Sequence, residues 1–158
     1  MRETPVAGVG LKRMIQVQIA NEHPDFTADE ARLRQAVENV LLEAELASGV
    51  VSIAIVDDSA IHRLNAQFLA HDEPTDVLSF VLEQTADAWE GEIVVSADTA
   101  RRLARQLGWD PRDELLLYVV HGALHLVGYD DGDDHERARM RAAERRHLAR
   151  FDLLPRYE

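Results

Sequence analysis

The stretch that most constrains the fold is LLLYVVHGALHLV, a run of thirteen residues at positions 115–127. Coiled into a helix, it is apolar on nearly every side, which predicts a helix buried over most of its surface. Asp110 suits the N-cap, Pro111 suits the first helical position, and Gly128 suits a left-handed residue after the last turn. Other elements must therefore surround this helix.

The patterns along the rest of the chain predict the order β-α-β-α-β-β-α-α-α. Strands are expected at MIQVQIA, VVSIAIV, VLSFVL and EIVVS. The first alternates, with Ile15, Val17 and Ile19 on one face, whereas the nearly all-apolar second strand is expected to be covered on both faces. The last two strands are joined by a polar turn and predict an antiparallel hairpin.

Helices are expected where capping residues precede apolar positions at helical spacing. Their predicted starts are a capping box of Thr27 and Glu30, then Asp57 or Asp58, then Ser96. A last helix is predicted at roughly 134–150, and its candidates for the inner face are Ala138, Ala142 and Leu148. The fold expected is one α+β domain at 14–158, with a small mixed sheet of about four strands packed by about five helices. Residues 1–13 show no periodicity and are expected to be a disordered extension.

Composition narrows the functional classes. The chain has no cysteine, which excludes disulfides and thiol catalysis. It has no apolar run long enough to span a bilayer and no signal-peptide core, so a cytoplasmic protein without membrane contact is expected. The net charge of −12 argues against broad, non-specific binding to nucleic acid.

Two histidines on the apolar helix indicate a candidate metal-binding site. His121 and His125 are four residues apart, so their rings lie on one helix face and can bind one metal ion. A turn at Gly128 allows the carboxylate of Asp131 to fold back as a third ligand, leaving a fourth position open for water. The alternative is two buried histidines with ordinary hydrogen-bond partners and a solvated acidic turn.

His135 is an alternative third ligand, and the helix lacks the glutamate that is typical of zinc metalloproteases. His135 follows closely and would complete a three-histidine site. Zinc metalloprotease helices read His-Glu-x-x-His, in which the glutamate is the general base. Here Gly122 occupies that position, so the sequence disfavours a protease.

The stretch at 121–131 closely resembles a signature of the YbeY family of metal-dependent endoribonucleases. The stretch reads HGALHLVGYDD, and the family signature reads His-Gly-x-Leu-His-Leu-x-Gly-Tyr-Asp-His. A second block, LNAQFLAHDEPTDVLSF (64–80), resembles another family motif, and GEIVVS (91–96) resembles the family's Gly-Asp-Ile strand. The likeness covers about residues 14–150.

The resemblance implies a zinc site at His121, His125 and position 131, beside a cleft bordered by Pro74–Ser79. It also implies a single-strand-preferring RNase that acts in rRNA maturation and ribosome assembly. Three positions depart from the family pattern: Asp131 replaces the third histidine, Leu69 replaces an arginine of many members, and Val81 replaces a proline. Two histidines and one carboxylate still suit zinc, and they also suit iron(II) or nickel.

The remaining candidates for the site come from the segments around this cleft. Three residues are candidate proton carriers: His71, Asp76 and Glu92. Three more shape the cleft or serve in helix caps and turns: Asn65, Thr75 and Ser79. Without an arginine at position 69, the candidates for holding phosphate are His71, Arg101, Arg102 and Arg105, although the three arginines also fit a solvated helix face. Tyr129 is a candidate for stacking on a base or, equally, for the core.

The function expected is metal-assisted cleavage of RNA phosphodiester bonds. Because the chain is acidic, the RNA, expected to be rRNA, would be presented by the ribosome or a ribosomal protein, and no DNA substrate is expected. Two alternatives remain at this point. One is a metallohydrolase with a peptide or ester substrate, and the other is a non-catalytic assembly factor in which metal only stabilises the fold.

Overall fold

The computed structural model describes residues 15–46, 48–69, 76–85 and 88–157. The predicted disordered extension at 1–13 lies outside these ranges. In the described residues the elements follow the predicted order: β1 (Ile15–Asn21), α1 (Glu30–Glu43), β2 (Gly49–Val56), α2 (Asp58–Leu69), β3 (Val77–Gln84), β4 (Trp89–Ser96), α3 (Ala97–Leu107), α4 (Pro111–Leu126) and α5 (Asp134–Ala149). The prediction of a single α+β domain with about four strands and about five helices is confirmed, since the described ranges contain four strands and five helices.

The four strands form one mixed sheet in the order β1-β2-β4-β3. β1, β2 and β4 are parallel, with Val17 opposite Val51 and Ile53 opposite Ile93. β3 runs antiparallel to β4, which confirms the predicted hairpin. β2 and β4 are the central strands, and this position explains the nearly continuous apolar sequence of β2 and the buried Ile93, Val94 and Val95 of β4.

The sheet is covered on both faces. The larger core cluster lies between the sheet and the helices α1, α3, α4 and α5. A smaller cluster lies on the opposite face, where α2 contributes Ile61 and the strands contribute Val56, Leu78 and Val94. The helix α4 contacts β3, β4 and three other helices, so the apolar run of the sequence is the central helix of the domain. Within the described ranges, no helix combines the length and the apolar character that crossing a bilayer requires.

The caps explain where the helices begin. The side chain of Ser96 accepts a hydrogen bond from the backbone of Thr99, and Asp110 accepts one from Arg112, as predicted. Asp57 caps α2 by accepting from the backbone of Ala60 at 2.8 Å. The prediction for α1 was wrong, because its N-cap is Asp29 and the helix begins at Glu30 rather than directly after Thr27.

The predicted inner face of α5 was also partly wrong. Leu148 is buried, but Ala138 and Ala142 are exposed. The buried stripe instead contains Met140, Ala143, Glu144, His147 and Leu148. These positions follow helical spacing, but two of them are polar, so apolar periodicity alone did not identify the face.

Candidate metal centre

The helix α4 lies close against the sheet because it carries a glycine at the point of contact. A Cβ atom added at Gly122 would lie 2.9 Å from Ile93 Cγ2 and 3.1 Å from Val77 Cγ2. The neighbouring His121 and His125 are half-buried, with side chains 23% and 27% exposed. A glutamate at position 122, as in zinc proteases, would meet the sheet and not the histidine rings.

His121, His125 and Asp131 come together as the sequence pattern predicts. The two histidine Nε2 atoms are 3.1 Å apart. Asp131 Oδ2 lies 3.5 Å from Nε2 of His121 and 3.6 Å from Nε2 of His125. A tetrahedral zinc ion with ligand bonds of 2.0–2.1 Å spaces its ligand atoms by about 3.3 Å. The donor types and their spacing therefore fit a single metal ion.

The turn after α4 returns the chain to this face. Gly128 has φ +106°, a left-handed conformation that favours glycine. The backbone N–H of Tyr129 donates to the carbonyl of Leu124 at 3.0 Å, which closes the turn. This turn places Asp131 so that its carboxylate lies close to both imidazole rings. His135 is instead exposed on the first turn of α5 and is not a member of this group of ligand atoms, so the structure favours Asp131 over His135 as the third ligand.

Glu144 is a contact of the centre that the sequence did not reveal. Its Oε2 lies 2.6 Å from His121 Nδ1, and its side chain is only 5% exposed. Because a carboxylate accepts, the Nδ1 hydrogen of His121 donates to it and Nε2 is left free to face Asp131. Burial alone would lower the pKa of His121. The hydrogen bond and charge of Glu144, with the charges of Asp76 and Asp131, outweigh burial and raise that pKa above its usual value.

A pocket of about 470 Å³ opens beside His121 and Asp131. Among the described residues, four acidic ones line it: Asp76, Glu114, Asp131 and Glu144. Three arginines also line it: Arg137, Arg141 and Arg156. None of the three was predicted, because Arg137 and Arg141 lie on a polar helix whose outer face is expected to be solvated and Arg156 lies beyond the end of that helix. The spacing of 137, 141 and 144 along one helix stripe was the available signal.

The predicted proton carriers are separated by the structure. Asp76 lines the pocket and its charge acts on His121. Glu92 lies on β4 next to Ile93, whose side chain faces α4. Because neighbouring side chains on a strand point to opposite faces, Glu92 faces away from the histidines, and the structure does not bring it to the candidate centre. His71 lies outside the described residues, as does Thr75.

The predicted substrate-binding residues lie mostly away from the pocket. Asn65 is buried in α2, and Ser79 lies on β3 opposite Ile93. Arg101 donates to the carboxylate and the carbonyl of Asp25, both at 2.7 Å, so its guanidinium is engaged elsewhere. Arg102 pairs with Asp58, and Arg105 is exposed on α3.

Tyr129 is engaged by two arginines of α5. The guanidinium of Arg139 lies 5.2 Å from its ring centre, and Arg146 donates to its hydroxyl at 3.4 Å. The ring is also packed against the main core. The structure thus supports the alternative of a core tyrosine over the prediction that Tyr129 stacks on a base.

These features define the class of protein: a single mixed-sheet α+β domain whose central helix carries a candidate mononuclear metal centre of two imidazoles and one carboxylate. The model of the family Endoribonuclease YbeY matches residues 18–152. The chain belongs to this family, which confirms the resemblance drawn from the two motifs.

Individual relatives agree with the family assignment. The chain is 38% identical to an Endoribonuclease YbeY of Chloroherpeton thalassium over 120 residues, which cover 76% of this chain and 84% of that protein. It is 51% identical to an Endoribonuclease YbeY of Rhodopirellula baltica over 98 residues, which cover 61% of this chain and only half of that protein's length. The solution structure of TM1509 from Thermotoga maritima matches with a TM-score of 0.58 and 25% identity, covering 86% of this chain and 91% of that one.

Proposed function

We propose that the protein is a metal-dependent endoribonuclease that cleaves single-stranded RNA in rRNA processing and ribosome assembly. The observation that carries the proposal is the convergence of His121, His125 and Asp131 on one point beside a pocket. The names of its relatives support the endoribonuclease activity. Zinc is the proposed metal, because two imidazoles and one carboxylate with an open position are typical of catalytic zinc sites.

The residues around the centre support distinct roles in cleavage. When bound, a zinc ion supplies Lewis acidity toward a phosphodiester oxygen and toward water. Glu144 holds the ring of His121 through the 2.6 Å contact at Nδ1, which directs Nε2 toward Asp131. Asp76 lines the same pocket and is the proposed proton acceptor.

Arg137 and Arg141 are the proposed phosphate contacts. Both line the pocket beside the centre, and guanidinium groups bind phosphate through paired hydrogen bonds. Arg156 also lines the pocket, but its guanidinium donates to backbone carbonyls. Arg137 and Arg141 take the role that was predicted for Arg101 and Arg105. Iron(II) or nickel would suit the same donor set, so the choice of zinc is tested by metal analysis of the purified protein.

The net charge of −12 supports a substrate that is presented by a partner. An acidic protein binds free RNA weakly, and that binding falls further with salt. We therefore propose that rRNA reaches the pocket on the ribosome or through a ribosomal protein, in the cytoplasm. Tight binding to naked rRNA at physiological salt would contradict this part of the proposal.

The test is cleavage of a labelled single-stranded RNA by the purified full chain. Cleavage should stop with a chelator and return with added zinc. Asp131→Ala should abolish cleavage with little change in the melting temperature, whereas the matched variant His135→Ala should cleave normally because His135 is exposed. Hydrolysis of peptides or esters without RNA cleavage would support another metallohydrolase. If the wild type cleaves none of these and chelation only lowers its stability, a structural metal in a non-catalytic protein is the better account.

A further inference from the structure

The segment after α5 returns to the metal centre. Three side chains of this segment pack against the main core: Phe151, Leu153 and Tyr157. Pro155, which lies between Leu153 and Tyr157 in the sequence, is buried as well. Arg156 donates to the carbonyl oxygens of Leu107 and Gly108 at 3.1 and 2.7 Å. These carbonyls belong to the end of α3, where the partial negative charge of the helix favours a cation. The segment 151–157 is thus anchored at both the core and a helix end.

Tyr157 reaches the side of Glu144 that His121 does not use. Its hydroxyl donates to Oε1 of Glu144, while Oε2 accepts from Nδ1 of His121. Burial, followed by the hydrogen bond to Glu144, raises the pKa of Tyr157, so the hydroxyl keeps its proton and acts as a donor. The guanidinium of Arg141 lies 3.7 Å from the centre of the tyrosine ring and packs on its face.

We propose that Tyr157 is a positioning residue for the metal centre, acting through Glu144 on His121. A carboxylate held at one oxygen can still rotate about its last bond, whereas one held at both oxygens is fixed. With Glu144 fixed, the ring of His121 keeps the tautomer and direction that aim Nε2 at Asp131 and His125. The C-terminal segment is then part of the site. This inference rests on the proposed function, since it assigns the role to a metal-binding histidine.

The decisive variant is Tyr157→Phe, which keeps the ring against Arg141 and removes only the hydroxyl. Loss of the direct partner of a metal-binding histidine weakens metal affinity by about tenfold to a hundredfold. Because Tyr157 acts one contact further out, we expect its loss to raise the zinc dissociation constant severalfold, and by less than Glu144→Gln does. The measurement is competition for zinc with a chromogenic chelator. Tyr129→Phe is the matched control, because its hydroxyl contacts Arg146 and not the centre, and its zinc affinity should be unchanged.

A purely structural tyrosine would lower stability without changing zinc affinity, and that result would overturn the inference. A second variant tests the route. Glu144→Gln should weaken zinc binding by itself, and the double variant with Tyr157→Phe should be no weaker than Glu144→Gln alone. If the two losses instead multiply, Tyr157 does not act through Glu144 and the inference is wrong.

A metal-free measurement separates this inference from the proposed function. In zinc-free protein, at a pH where the His121 ring is neutral, ring ¹⁵N NMR of the histidines should place the His121 proton on Nδ1, and Tyr157→Phe should produce a mixture of tautomers. An unchanged tautomer in that variant would overturn the inference even if the wild type binds zinc and cleaves RNA. Wild-type protein that binds no zinc, but whose tautomer shifts in the variant, would refute the proposed metal function and leave the positioning role standing.

Discussion

Replacing Gly122 with alanine tests whether the close packing of α4 against the sheet requires glycine at this position. The new Cβ would lie 2.9 Å from Ile93 Cγ2 and 3.1 Å from Val77 Cγ2, both closer than carbon atoms normally approach. Ile93 is fully buried on β4, and its branched side chain has little freedom to turn away. The helix or the strand must therefore move.

Two opposing effects set the magnitude. Alanine favours the helix over glycine by about 0.5–1 kcal/mol. Overpacking a well-packed core costs about 1–3 kcal/mol. Because the contacts are with a buried, branched side chain, the packing cost should exceed the helical gain and leave a net loss of about 1–2 kcal/mol. For a chain of this length that loss lowers the melting temperature by about 2–8 °C.

Thermal unfolding followed by circular dichroism measures the effect. The control is Ala142→Gly, at an exposed position of α5, because it reports the helical preference without a packing change. It should lower stability by about 0.5–1 kcal/mol. If Gly122→Ala instead raises the melting temperature by as much as Ala142→Gly lowers it, the close approach of helix and sheet does not constrain position 122 and the reasoning fails.

Two further predictions concern charge. Arg137→Gln should weaken binding of single-stranded RNA, measured in chelator to prevent cleavage, and should reduce the salt slope by about 0.7 for one lost phosphate contact, whereas Arg105→Gln should not; equal slopes for both variants would contradict the proposed role. The hydrogen bond from Arg146 lowers the pKa of Glu43 to about 2, with His147 adding to the effect. Since this folded pKa lies below the ordinary 4.5, the stabilisation is present above pH 4.5 and lost as pH falls toward 2. The stability difference between wild type and Glu43→Gln in urea should thus shrink over that range, and a constant difference would refute the account.

Local sequence signals predicted the elements of this protein well where each signal is contained in a few neighbouring residues. The apolar run with Asp110, Pro111 and Gly128 specified α4, and the four-residue spacing placed both histidines on one face of it. The turn at Gly128 brought Asp131 within the reach expected of a third ligand. These features depend on helix geometry and turn conformation, which local spacing determines.

Local sequence signals did not predict the contacts between segments that are distant in the sequence. Glu144 is 23 positions from His121, and its choice as a partner depends on how α5 packs against α4. Arg101 was predicted to bind phosphate, but its guanidinium donates to Asp25, which lies in the loop before α1 and is distant in sequence. Glu92 was a candidate only as long as the face it occupies on the sheet was unknown.

The sequence by itself determined the central helix, the histidine pair and the carboxylate that follows, because helical periodicity and a glycine turn act over a few residues. Only the tertiary structure decided which groups surround that pair. The buried carboxylate behind His121, the tyrosine from the C-terminal segment and the arginines of the pocket arrive from elements whose relative packing is set by the whole core, and no local spacing encodes it.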